Sequence, residues 1–210
     1  MDLSIIQAIH KESKDAKPIQ ELCNEILNNN SENDGNVGNC DGKILSHLEY
    51  ALQLFTLSSK QWSNKRHTLV FDYLRTTLRN INETTESDTL KSDTISKIIT
   101  VFGTFTEKRP QQSQIVIDIC SVLVELATNF SQHFTIQQTI EVIEICHAQI
   151  RLHILHEQND DGCRDGSAKK ALLYHFQALQ SKLRPSSFGT QSEYQDPSVE
   201  FENFILSDDT

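Results

Sequence analysis

Two long apolar segments, 113–130 and 136–155, are separated by little more than Ser131–Phe134, and this tandem constrains the fold more than any other feature. In the first, the polar residues Asp118, Ser121, Glu125 and Thr128 recur at offsets of three, seven and ten, one narrow stripe on a helix. Ile115, Val116, Ile117, Ile119, Cys120, Val122, Leu123, Val124, Leu126 and Ala127 cover the rest of the circumference. A helix apolar over most of its surface is normally surrounded by other helices. Its β-branched residues would suit a buried strand, but the stripe repeats at helical spacing and the run is too long for one strand. Pro110 suits the first turn, where a missing amide donor costs nothing.

The second segment opens with Thr135-Ile136-Gln137-Gln138, in which Thr and Gln stand three apart as a capping box requires. Ile136, Ile140, Ile143, Ile150 and Ile154 mark one face, widened by Val142, Ile145 and Leu152. So short a link makes the two helices antiparallel neighbours.

The rest of the chain reads as further helices that pack on this pair. Ile6 and Ile9 mark a short helix over 2–13, and Pro18 opens a second carrying Ile19, Leu22, Ile26 and Leu27. Residues 28–42 are polar and rich in Asn and Gly, which predicts a flexible loop. Asp41 is placed to cap a helix over 43–58. Helices over 61–81, from 90 to the mid-100s, and over 167–183 follow, the last stopped by Pro185. The expected fold is all-α: about eight helices in antiparallel hairpins, forming a bundle or a short α-solenoid of HEAT or armadillo type. The hairpins 43–81, 90–129 and 136–183 begin about 45 residues apart, within the range of such repeats. The helical domain is expected over 1–185, with an acidic, disordered tail over 186–210.

Composition narrows the function classes. The chain has 29 acidic and 19 basic residues, a net charge of −10, which argues against nonspecific nucleic-acid binding. Cys23, Cys40, Cys120, Cys146 and Cys163 form no C-x-x-C pair, and two lie within apolar helices, so reduced thiols are expected. The first residues lack the apolar core of a signal peptide, and no uninterrupted apolar run approaches the ~20 residues of a membrane span. An intracellular protein of cytoplasm or nucleus is expected.

Sites are harder to find. No Gly-x-Ser-x-Gly, phosphate-binding Gly loop or strict zinc spacing is present. Glu144 and His147 give one Glu-x-x-His unit, of which di-iron bundles use two. With His153 and His156 it is the basis of an alternative, a metal-dependent helical enzyme, although His147 and His156 point to opposite sides of one helix. Lys65, Arg66, Arg75 and Arg79 form a basic face on the 61–81 helix, which could meet an acidic partner or, in a second alternative, nucleic acid. After 185 there is no Lys or Arg. Six acids there surround a cluster that includes Phe201, Phe204, Ile205 and Leu206. That acidic–aromatic pattern is typical of segments that fold on a partner's groove. The expected function is therefore noncatalytic: a protein-binding scaffold or adaptor subunit of a complex, with no cofactor.

Overall fold

The computed structural model of the chain describes residues 3–31, 40–58, 64–84, 88–106, 113–157 and 166–183. These residues form α1 (Ser4–Glu12), α2 (Lys17–Ser31), α3 (Cys40–Ser58), α4 (Asn64–Thr84), α5 (Asp88–Thr106), α6 (Ser113–Phe130), α7 (Ile136–Glu157) and α8 (Gly166–Leu183). A single 3₁₀ turn, Ser131–His133, joins α6 to α7. No strand occurs among the described residues, and the fold is all-α.

The expected capping box is present. Gln138 N–H donates to Thr135 Oγ1 at 3.1 Å, and Thr135 N–H donates to Gln138 Oε1 at 2.8 Å. Helix reaches further into the Asn- and Gly-rich stretch than its composition suggests. α2 continues through the three asparagines to Ser31, and α3 opens at Cys40, so Asp41 lies inside α3 and is not its cap. A tertiary contact accounts for the first extension: the Asn29 amide donates to the Tyr50 hydroxyl at 2.8 Å, holding the end of α2 on α3. Pro110 lies outside the described residues.

Each expected hairpin is formed, since α3 packs on α4, α5 on α6 and α7 on α8. Packing also runs sideways in two rows. In one row α2 lies beside α3, α3 beside α5 and α5 beside α7; in the other α1 lies beside α4, α4 beside α6 and α6 beside α8. Hairpins packed side by side in two layers fit the expected architecture, a helical bundle or short α-solenoid.

The core runs between the layers. Phe55 of α3 holds its first part together, with ring centroids 5.6 Å from Phe71, 5.0 Å from Phe102 and 4.9 Å from Phe105, at the separations aromatic pairs prefer. α6 buries Ile115, Val116, Ile119, Val122, Leu123, Leu126 and Phe130. With the turn that follows it, α6 is long and apolar enough over Gln114–His133 to cross a membrane, although no uninterrupted run of that length exists. In this fold α4, α5, α7 and α8 all pack on it, which accounts for its hydropathy.

Candidate functional site

The polar stripe of α6 and the basic stripe of α4 prove to be two sides of one contact. Arg75 Nη2 donates to Asp118 Oδ1 at 3.0 Å, and Arg79 Nε donates to Glu125 Oε1 at 2.9 Å. The pairs follow the same order along both helices, so α4 and α6 run in the same sense, as equivalent helices of stacked hairpins do. At the start of α4, Lys65 donates to the Glu12 carboxylate. Arg66 Nη2 donates to Asp15 Oδ1 at 2.6 Å and to the Glu12 carbonyl at 3.1 Å. All four cations of the basic face thus meet acids of the same chain. Arg66, placed on the outer side by periodicity, is 1 % exposed. The reason is tertiary: the end of α1 and the turn after it, about fifty residues earlier, lie against the first turn of α4 and supply its acceptors.

Asp118 is the most elaborated point of this seam. Its Oδ2 lies 3.2 Å from His67 Nε2 and 3.5 Å from the Gln114 amide nitrogen. Arg75 also reaches Asp72 at 3.4 Å, and its guanidinium stands 5.8 Å from the centroid of the Phe71 ring. His175 of α8 completes the junction. Burial pushes its imidazole below the ordinary value, the Arg75 charge pushes it the same way, and Asp118 opposes both. A carboxylate held between an arginine, a histidine and an amide is neutralised within the fold. The arrangement ties α4 to α6.

The other layer has its own rungs. Tyr50 of α3 donates to Glu25 of α2 at 3.2 Å, Lys97 of α5 donates to Glu49 of α3 at 2.7 Å, and Gln138 of α7 donates to Ser96 of α5 at 2.8 Å. Beneath them His47 Nδ1 lies 2.7 Å from the Tyr73 hydroxyl in a buried pair. Burial lowers the His47 pKa, raises that of the Tyr73 phenol, and pushes the nearby Cys23 thiol up to about 12. All three groups are thereby held neutral near pH 7.

The remaining sequence candidates form no cluster of three or more possible ligands among the described residues, or lie outside them. Glu144 is exposed and His147 half-buried. The side chains of His153 and His156 are not among those described. No group of three or more His, Cys, Asp or Glu residues able to hold a metal occurs among the described residues. Cys120 and Cys146 are each 1 % exposed, and a hydrogen bond between them together with burial raises the Cys146 thiol well above its ordinary value. Such thiols behave as small hydrophobes and not as nucleophiles. Phe201, Phe204, Ile205 and Leu206 lie outside the described residues.

Sequence reading missed two surface features. A cleft of about 310 Å³ opens between α3 and α5, lined by Leu52, Gln53, Thr56, Leu57 and Val101, and its wall is mainly apolar. It lies between successive helices of one layer, and only the lateral packing of α3 on α5 creates it. The second feature is a pair of exposed large hydrophobics, Ile136 and Tyr174, each 70 % exposed, both on the last hairpin. No family model, curated protein or solved structure matches the chain.

Proposed function

We propose that this chain is a noncatalytic interaction module, a scaffold or adaptor subunit of an intracellular complex in cytoplasm or nucleus. The observation that carries the reading is the α3–α5 cleft, an apolar slot between stacked hairpins. Slots of this kind suit the apolar side of a partner's short helix, with the exposed Gln53 amide at the rim to meet its polar groups. The acidic–aromatic segment around Phe201, Phe204, Ile205 and Leu206 is the second element, engaging the same partner or another. The basic residues of α4 favour this reading over nucleic-acid binding, because Lys65, Arg66, Arg75 and Arg79 already face acids.

The test is affinity capture from cell extract with three baits: residues 1–210, residues 1–190, and the full chain carrying Val101→Lys. A partner retained by the first bait and lost with Val101→Lys supports the cleft. A partner lost only with 1–190 supports the tail. Equal recovery by all three baits, or no specific partner for any, overturns the proposal.

A further inference from the structure

Among the described residues α8 is the last helix of its layer, resting on α6 and α7. Gly166–Leu183 contains three lysines, Lys169, Lys170 and Lys182, and no Asp or Glu. Lys170, Tyr174, Gln177 and Ser181 are exposed and recur every three or four residues, so they form one outward stripe, with exposed Lys182 beside its end. Neither Lys170 nor Lys182 has an ion pair among the described residues, in contrast to the four cations of α4. A stripe that carries Lys170 and a 70 % exposed tyrosine, with Lys182 about 120° further round the helix, is an exposed face with a cation near each end of α8. End repeats need a polar or covered outer side.

The sequence that follows α8 has the complementary chemistry. Residues 186–210 contain six acids and no Lys or Arg. Phe201, Phe204 and Ile205 stand at offsets of three and four, the spacing of one helical stripe. Glu200, Glu202, Asp208 and Asp209 surround them. The link suffices in length: residues 184–198 can span about 50 Å, whereas an 18-residue helix is about 27 Å long. A short tether also gives the segment a high effective concentration at this face, so a weak contact is populated.

We propose that residues 199–209 dock on the outer stripe of α8 of their own chain, their aromatics against Tyr174 and their carboxylates toward Lys170 and Lys182. The contact caps the open end of the stack and keeps the aromatic segment from partners until one competes for it. It deepens the reading of this segment as a partner-binding element, and its test contains no partner, so each can fail alone.

The test is hydrogen–deuterium exchange of the full 210-residue chain, read by mass spectrometry. In low salt, amides over 199–206 are expected to exchange about tenfold more slowly than an unstructured peptide. Protection should disappear in the Lys170→Glu/Lys182→Glu variant and in about 0.5 M salt, where charge attraction is screened. Adding Glu200→Lys/Glu202→Lys to the lysine variant should restore it, since both signs are then exchanged. Exchange at the unstructured rate in the native chain overturns the proposal. So does protection indifferent to the lysine variant, or protection that rises with protein concentration, which would place the segment on a second copy. Amides of α6 serve as the folding control. If the lysine variant loses them, Glu200→Lys/Glu202→Lys alone makes the same test from the tail side.

Discussion

Asp118 shows how much a single residue can hold in this fold. Its side chain is 15 % exposed and that of its partner Arg75 17 %, so both charges lie largely out of water. Removing one member of a mostly buried pair leaves the other without compensation, at a cost of about 3 kcal/mol. Asp118→Ala should therefore destabilise the chain by roughly that amount. Arg79→Ala, in a pair whose arginine is 60 % exposed, should cost under about 1 kcal/mol. Urea denaturation of the two variants checks the contrast, and equal losses would refute it. Protonation gives a second prediction. Burial lowers the pKa of both His47 and His175 below the ordinary 6.5. Just below that value the unfolded chain holds protons that the folded chain does not, so stability falls as pH drops through this window and is fully present above it. The urea midpoint should decline between about pH 7 and pH 5, and His47→Gln/His175→Gln should flatten that decline. Asp118 and Arg75 were both visible in the sequence as members of polar stripes. That they meet was not, because periodicity places a residue on a face without saying which helix covers that face.

At the scale of elements the sequence was highly legible where it was periodic. The polar stripe of α6 and the Thr135–Gln138 box located α6 and α7 to within a residue or two, because both signals are local in the chain. The edges of α2 and α3 were less legible. The asparagines of 28–30 disfavour helix, and the Asn29–Tyr50 bond that offsets this preference spans 21 residues. Gln138 illustrates a residue whose local role was readable and whose second role was not. It returns the cap to Thr135 N–H and also donates to Ser96 of α5. Thr135→Ala should cost about 1 kcal/mol, the usual value of a lost N-cap. Gln138→Ala should cost about 2 kcal/mol, because it also leaves the α5–α7 rung unmade. Ser96→Ala, which removes the rung alone, should fall below both. Equal values for Gln138→Ala and Thr135→Ala in chemical denaturation would mean that the lateral bond contributes nothing.

The whole molecule is ordered by its lateral packing, and this determines how it should come apart. In a stack whose hairpins rest on their neighbours, stability is a sum of local and interface contributions, so an end can loosen without the rest. α8, packed on α6 and α7, is such an end among the described residues, and Leu179, like Leu172, is fully buried in it. Leu179→Ala creates a cavity worth about 2–5 kcal/mol at that end. Amide exchange should accelerate in α7 and α8 while α2, α3 and α4 keep their protection. Phe55 is the opposite case, buried in mid-stack and in ring contact with Phe71 of its own hairpin and with Phe102 and Phe105 of the next. Phe55→Ala removes contacts shared by successive hairpins and should loosen both halves together. A single cooperative bundle would respond alike to the two substitutions, with every helix losing protection in parallel. That outcome would show that two layers of helices need not unfold as a stack, and the α3–α5 cleft would then be a local hollow of a bundle, with no counterpart between other hairpins.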